Sequence, residues 1–132
     1  MDQPAAGLTP GLTARVQLTV TDADTAQAMG SGDVPVLATP RVLALAEAAT
    51  VAATAARLPS GSTTVGVRAE LDHTAPSPVG ATVLAEATLA KVDGRRLLFE
   101  VRVTAGERSI AEVRVERVVV DRQRFVQSAF DG

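Results

Sequence analysis

One carboxylate stands inside an apolar, alanine-rich stretch of this sequence. The stretch is LATPRVLALAEAAT, residues 37–50, and Glu47 is its only acidic side chain. An unpaired charge is expensive to remove from water, so a carboxylate in this position should be paired or functional. The chain also has a single histidine, His73. A carboxylate beside an imidazole can work as an acid/base pair, because it orients the ring and raises its pKa.

Two strand-like segments each place a polar side chain where their alternation predicts burial. In residues 63–73 the odd-numbered positions are apolar from Val65 to Leu71, and the next odd-numbered position holds His73. In residues 108–120 the odd-numbered positions are apolar from Ala111 onward, except for Arg117. Together with Glu47, these residues suggest a possible acid/base site.

Each of these residues also has a purely structural interpretation. Glu47 could face solvent with Thr50 and Thr54, which lie three and seven residues further along the same helix face. His73 could be an ordinary histidine at a strand end, and Arg117 could extend to solvent from a sheet edge. The pattern of residues leaves these alternatives open.

Thr39 and Pro40 indicate where the helix that carries Glu47 begins. Thr is a favoured N-cap and Pro a favoured first helical residue, so Thr39 could be only a cap. The unpaired N–H groups of a helix start can also hold a developing oxyanion. Thr39 and Glu47 are eight residues apart, or about 12 Å along a helix. If both serve one reaction, a substrate, a water or a second subunit must lie between them.

The hydrophobic periodicity predicts the elements that position these residues. The expected order is a first strand over 12–20, a loop over 21–35, a helix over 40–57, and four alternating strands over 63–73, 79–92, 95–105 and 108–120, with a hairpin turn at Asp93–Gly94. An antiparallel sheet needs its apolar face covered, and only the 40–57 helix is long and apolar enough to cover it. We therefore predict one α+β domain over 1–132, a hotdog fold with an antiparallel sheet wrapped around a long central helix, and a loose N-terminal arm over 1–11.

Composition narrows the functional classes. The chain of 132 residues is 46% hydrophobic and 2% aromatic, which predicts a single domain with an aliphatic core. A net charge of −2, without Tyr or Trp, argues against a nucleic-acid partner. The absence of cysteine excludes disulfides and thiol nucleophiles. With no signal-peptide pattern and no apolar run of ~18 residues, we expect a soluble, cytoplasmic protein without a membrane partner.

At these residues the sequence resembles the fluoroacetyl-CoA thioesterase-like family of hotdog proteins, over roughly residues 8–126. ATPRVLALAEAA carries Thr39 and Glu47 at the family's spacing. TTVGVRAELDHTAPSPVG carries Gly66 and His73, and VERVVVDRQRF carries Arg117. The pattern H-T-A-x-x-P-x-G, combined with a Thr and a Glu eight residues apart, is fairly specific.

The resemblance implies an acyl-CoA thioesterase that needs no cofactor and no metal. It implies a homodimer in which two sheets join edge to edge and acyl-CoA binds at the subunit interface. Glu47 is then the general base or a transient nucleophile, His73 orients and shuttles a proton, and Thr39 positions the substrate carbonyl or water. Gly66 and Arg117 are implied to contact the substrate.

The segment before Thr39 departs from the family's namesake, which has phenylalanines there as an apolar lid. Here the segment is MGSGDVPVL, residues 29–37, without an aromatic side chain. We therefore expect an acyl thioester other than fluoroacetyl-CoA. Two other functions fit the same residues: a non-catalytic acyl-CoA-binding module and a hotdog enoyl-CoA hydratase. The hydratase is disfavoured because the His-rich helix of such enzymes is absent.

Overall fold

Five strands and three α-helices form within residues 7–131, the part of the chain that the computed structural model describes. Their bounds, in chain order, are β1 (Thr13–Thr19), α1 (Ala26–Met29), α2 (Thr39–Thr54), β2 (Ser62–His73), β3 (Thr82–Asp93), β4 (Arg96–Ala105), β5 (Arg108–Asp121) and α3 (Arg122–Ser128). Short 3₁₀ turns occupy Asp22–Asp24 and Ala55–Arg57. The predicted order of strand, long helix and four strands is confirmed, and α3 is an element that the periodicity did not predict.

The five strands form one antiparallel sheet in the order β1-β3-β4-β5-β2, so β1 and β2 are its edges. Two hairpins join β3 to β4 and β4 to β5, and each turns through a two-residue loop that begins with glycine. Gly94 and Gly106 both have φ of 60°, a left-handed conformation that glycine adopts without strain. The predicted hairpin near Asp93–Gly94 is confirmed.

Helix α2 packs across one face of this sheet and forms the core with it. Its buried face carries the small side chains of alanines 46, 49 and 53, which let the helix approach the strands closely. The sheet contributes mainly valine, leucine and alanine, and Phe99 is the one aromatic side chain in the described core. The predicted architecture, a sheet around a long central helix with an aliphatic core, is confirmed.

An extra residue in β2 changes which side chains face α2. Gly66 pairs with Arg117, but Arg68 is already opposite Glu116, so Val67 forms a β-bulge. A bulge shifts the two-residue alternation of a strand by one position. On the helix side, the residues of β2 are therefore even-numbered before the bulge and odd-numbered after it.

The predicted apolar face of β2 is wrong in its first half for this reason. That face was expected to hold Val65, Val67, Ala69 and Leu71, but Val67 is 50% exposed and Thr64 is only 7% exposed. Thr64 and Gly66 take the helix side in place of the two valines. His73 stays on the helix side as predicted, because it follows the bulge.

Helix α2 begins one residue earlier than predicted. Thr39 is its first residue and Ala38 occupies the N-cap, so the predicted cap role of Thr39 is wrong. The backbone N–H of Ala38 donates to the Asp24 carbonyl at 2.9 Å, which ties the helix start to the preceding turn. The α-helix ends at Thr54, and the rest of the predicted span, to Arg57, is a 3₁₀ turn.

The predicted N-terminal arm is only partly covered by the structure. Residues 1–6 lie outside the described part of the chain. Residues 8–11 are not loose, since Leu8 is 5% exposed and the Gly11 N–H donates to the Leu89 carbonyl at 2.8 Å. Within residues 7–131, every helix is too short or too polar to cross a membrane. The cytoplasmic location stays a prediction.

Candidate active site

Thr39 and His73 meet where the start of α2 lies beside the end of β2. The Thr39 Oγ1 and His73 Nδ1 atoms are 2.8 Å apart, within hydrogen-bond distance. This contact explains why the Thr39 hydroxyl does not cap its own helix. The other ring nitrogen, Nε2, is buried and has no hydrogen-bond partner among the described residues. A buried ring nitrogen without a partner can accept or donate a proton once a substrate or water reaches it.

A cavity of about 320 Å³ opens beside this pair. Its walls come from α1, from the segment that leads into α2, and from residues 74–76, and they include Ala26, Val34, Val36 and Ala75. Among the described residues, its lining contains no Phe, Tyr or Trp. An apolar wall with a few convergent polar groups is typical of small-molecule sites, so this cavity is the candidate substrate pocket.

Further along α2, Glu47 forms an ion pair with Arg117 of β5. Arg117 Nη1 donates to Glu47 Oε2 at 3.2 Å. Arg117 is 7% exposed, and burial lowers the pKa of its guanidinium while the Glu47 carboxylate opposes that effect. Two further hydrogen bonds go to Thr64, from Nε to the hydroxyl at 2.9 Å and from Nη2 to the carbonyl at 3.0 Å. The buried cation is therefore both paired and hydrogen-bonded.

Gly66 gives the Glu47 carboxylate the space it occupies. A Cβ atom on Gly66 would lie 2.6 Å from Glu47 Oε2 and 3.3 Å from Arg117 Nη1. Only glycine lets the carboxylate lie this close to β2. The described contact of Gly66 is thus with Glu47, and its contact with a substrate stays a prediction.

Asp24 fixes the segment that leads into α2. Its Oδ2 accepts from the Thr21 backbone N–H at 2.8 Å and from the Thr21 hydroxyl at 2.9 Å, and its Oδ1 accepts from Arg41 Nε at 2.9 Å. The backbone N–H of Thr21 is the main cause that lowers the pKa of Asp24. Burial raises the pKa of Asp24 and so opposes this effect, whereas the Thr21 hydroxyl and Arg41 lower the pKa further. The Thr21-x-x-Asp24 spacing is a capping-box signal that sequence reasoning overlooked.

Within one chain the predicted site residues form two groups. Thr39 joins His73, and Glu47 joins Gly66 and Arg117. The predicted carboxylate–imidazole contact is absent among the described residues, because the partner of His73 Nδ1 is Thr39 and Nε2 has none. About 12 Å of helix separates the two groups along α2.

Two of the purely structural interpretations, a solvent-facing stripe at Glu47 and an Arg117 that extends to solvent, are wrong. Thr50 and Thr54 are both 0% exposed, so they do not continue a solvent-facing stripe from Glu47. The Thr50 hydroxyl instead donates to the Glu47 carbonyl at 2.6 Å. The Glu47 side chain is 39% exposed, and Arg117 is buried rather than extended to solvent.

Thr64 is the residue of this cluster that sequence reasoning missed. The odd-numbered apolar pattern of residues 63–73 would place Thr64 on the outer face of β2, because that pattern does not reveal the bulge at Val67. A signal was available in its neighbour: Thr64 lies two residues before Gly66, so the two share a strand face wherever no bulge separates them.

Comparison with solved structures defines the class of protein. The fluoroacetyl-CoA thioesterase FlK superposes with a TM-score of 0.88 at 29% identity, over 95% of this chain and 97% of that one. A Thermus thermophilus thioesterase-superfamily protein gives 0.86 at 25% identity, over 96% and 93%. A hot-dog-like protein from Thermanaerovibrio acidaminovorans, at 24% identity and 0.84, shares the fold over 92% and 90%. The fold is therefore that of the hotdog thioesterase superfamily.

The family within that class follows from the sequence. The profile of the family "FlK: Fluoroacetyl-CoA-specific thioesterase" matches residues 20–123, and the chain belongs to this family. The fluoroacetyl-CoA thioesterase of Streptantibioticus cattleyicolor is 37% identical over 90 residues, which are 68% of this chain. The chain spans 65% of that relative's length in this match. The resemblance predicted from the motifs is confirmed.

Proposed function

We propose that this protein hydrolyses an acyl-CoA thioester to the free acid and CoA, with Thr39, Glu47 and His73 as its catalytic residues. The observation that carries the proposal is the Thr39–His73 pair at the cavity, with a buried Nε2 that has no partner among the described residues. Membership of a thioesterase family supports the reaction type. Structures of FlK variants with fluoroacetate and CoA, and with acetyl-CoA, support a CoA ester as the substrate class.

The proposed enzyme acts on small acyl-CoA esters and is not specific for fluoroacetyl-CoA. The described residues that line the cavity beside Thr39 and His73 are small or aliphatic and include no Phe, Tyr or Trp. An aliphatic wall discriminates poorly between acyl groups that differ by a single methylene or a small substituent. We therefore expect hydrolysis of several small acyl-CoAs without a large preference for the fluorinated one.

In the proposed reaction, an oxygen nucleophile attacks the thioester carbonyl carbon and the C–S bond then breaks. The nucleophile is either a water that gives its proton to Glu47, or Glu47 itself, whose anhydride a water then opens. The tetrahedral oxyanion is held at the start of α2, where Pro40 has no N–H and the Thr39 N–H has no acceptor among the described residues. His73 supplies the proton that the departing CoA thiolate takes up.

The proposed active site is shared between two subunits of a homodimer. Gly66 and His73 are seven residues apart on β2, or roughly 20 Å, too far for Glu47 and His73 to act on one carbonyl within a chain. β2 is an edge of the sheet formed by the described residues, so its outer N–H and C=O groups can pair with another strand. A two-fold axis near Ala69 and Glu70 would set His73 opposite the partner's Gly66, and so near the partner's Glu47.

The exposed middle of β2 agrees with this proposal. Residues 66–70 are exposed in the single chain, and Val67 is an apolar side chain among them. Long unpaired edge strands with apolar side chains are normally covered in native proteins. A second copy of β2 would provide that cover.

A panel of acyl-CoA esters tests the proposed reaction. Thiol release is followed with a thiol reagent, and the chain itself gives no background because it contains no cysteine. We expect release above buffer for at least one small acyl-CoA, and a loss of at least ~100-fold in Glu47→Gln and in His73→Ala. Thermal stabilisation by CoA esters without release would favour the binding module. A fall in enoyl-CoA absorbance would favour the hydratase.

A further inference from the structure

We propose that Thr64 is a positioning residue, which holds the Arg117 guanidinium so that Arg117 in turn fixes the Glu47 carboxylate. This inference rests on the catalytic role proposed above for Glu47. It adds a residue that neither the motifs nor the family assignment picks out. Thr64 acts through Arg117, because its hydroxyl accepts a hydrogen bond from the guanidinium and makes no other side-chain hydrogen bond within residues 7–131.

The geometry is a two-point attachment of one arginine to one threonine. Arg117 Nε donates to the Thr64 hydroxyl at 2.9 Å, and Nη2 donates to the Thr64 carbonyl at 3.0 Å. Two bonds from a rigid planar group fix the orientation of its plane. The remaining nitrogen, Nη1, is thereby aimed at Glu47 Oε2, 3.2 Å away.

Burial makes the attachment to Thr64 hard to replace. Thr64 and Arg117 are each 7% exposed, so water has little access to the guanidinium if the hydroxyl is removed. A buried donor that loses its acceptor is costly, so the guanidinium should turn or shift to find a new partner. Either movement takes Nη1 away from the carboxylate.

The register of β2 against β5 places Thr64 within reach of Arg117. Thr64 pairs with Val119, and Gly66 pairs with Arg117, on the helix side of the sheet. Arg117 therefore reaches diagonally across the strand pair to Thr64, a contact that long side chains make readily in antiparallel sheets. The missing side chain of Gly66 leaves the space through which the guanidinium and Glu47 meet.

The first test compares Thr64→Val with Thr64→Ser. Valine keeps the shape of the side chain but removes the hydroxyl that accepts from Arg117, whereas serine keeps that hydroxyl. We expect Thr64→Val to lower kcat by about 10- to 100-fold, as misplacing a catalytic group by about 1 Å can do, with a smaller change in KM. Thr64→Ser should restore most of kcat. Thr63→Val is the matched control, since Thr63 lies one position away on the other strand face, opposite Val120.

A double variant separates an action through Glu47 from a general structural defect. In a Glu47→Gln background, Thr64→Val should cause no further loss of the residual rate, because the group it positions is already gone. Additive losses would overturn the inference. Full activity of Thr64→Val beside an inactive Glu47→Gln would overturn it and leave the proposed function intact. Full activity of Glu47→Gln would instead refute the role of Glu47 in the proposed function.

A crystal structure of Thr64→Val provides a readout that does not depend on activity. We expect the contact between Arg117 Nη1 and Glu47 Oε2 to be lost in the variant. The inference is wrong if the contact is retained at the 3.2 Å of the parent chain.

Discussion

Gly66→Ala should reduce turnover without weakening the fold. The added Cβ would lie 2.6 Å from Glu47 Oε2, and the carboxylate must retreat by about 0.8 Å to reach the 3.4 Å at which ordinary contacts begin. Glu47 is a flexible side chain that is 39% exposed, so it can move without disturbing the core. Because catalysis tolerates displacements of this size poorly, we expect kcat to fall by about 10- to 100-fold. That loss corresponds to about 1.4 to 2.7 kcal/mol in activation free energy.

The stability of Gly66→Ala should stay close to that of the parent chain. Gly66 is not among the glycines with positive φ, so alanine can adopt its backbone conformation. At such positions alanine stabilises by about 0.4–1 kcal/mol through the unfolded state, which offsets the cost of moving Glu47. Thermal unfolding should therefore change by no more than a few degrees.

Gly7→Ala is the matched control for this prediction. Its Cβ would also press on a flexible side chain, at 3.2 Å from Arg57 Cδ, but far along the chain from the site residues. We expect the kcat of Gly7→Ala to equal that of the parent chain. If Gly66→Ala also keeps the parent kcat, the position of Glu47 against β2 does not matter for catalysis and the reasoning is wrong.

Three further predictions concern other residues. Thr39→Val should lower kcat by at least ~100-fold and Thr39→Ser should keep most of it, because only the hydroxyl reaches His73 at 2.8 Å; steady-state kinetics decides. Val67→Lys should dissociate the proposed dimer, while Val79→Lys, at a similarly exposed valine outside β2, should not, as measured by sedimentation. Asp24→Asn tests the turn before α2. The hydrogen bonds that lower the pKa of Asp24 stabilise the fold above its usual pKa of 3.8, and this contribution is lost as the pH falls through the lower folded-state pKa. Below about pH 4 the Tm of the parent chain should therefore fall more steeply than that of Asp24→Asn.

The elements that could be predicted from the sequence are those with a long, regular period. The helix over 40–57 and the strands over 95–105 and 108–120 agree with α2, β4 and β5 to within three residues at each end. Their apolar positions repeat without interruption, and the glycine turns between strands mark the hairpins. The sequence pattern therefore decides the architecture.

The apolar pattern of β2 does not reveal its register, and the one compositional trace of the bulge is a glycine inside the strand, Gly66, directly before Val67. Val65 and Val67 are apolar and β-branched, as core residues of a strand are, yet Val67 is half exposed. Which strand face is buried depends on pairing with β5, a strand that is distant in sequence: Thr64 pairs with Val119. That pairing alone decides that Thr64, and not Val65, faces the helix.

The candidate site was predicted as a set of residues and not as a set of contacts. Alternation located His73 and Arg117, and the apolar helix located Glu47. The local pattern suggests a pair between Glu47 and His73. Within the chain, the side-chain partner of Glu47 is instead Arg117, 70 residues away in sequence. Partners this distant are chosen by tertiary packing, which local periodicity does not contain.

Mixing two inactive variants tests the central claim, that one thioesterase site is built from two subunits, most directly. Glu47→Gln and His73→Ala are unfolded and refolded together in equal amounts, and thiol release is compared with each variant alone. In a shared site, every mixed dimer regains one intact pair of Glu47 and His73. Half of the dimers are mixed and each has one of two sites intact, so about one quarter of the parent activity should return. If the mixture is no more active than the separate variants, Glu47 and His73 do not act together across the interface and the account is contradicted.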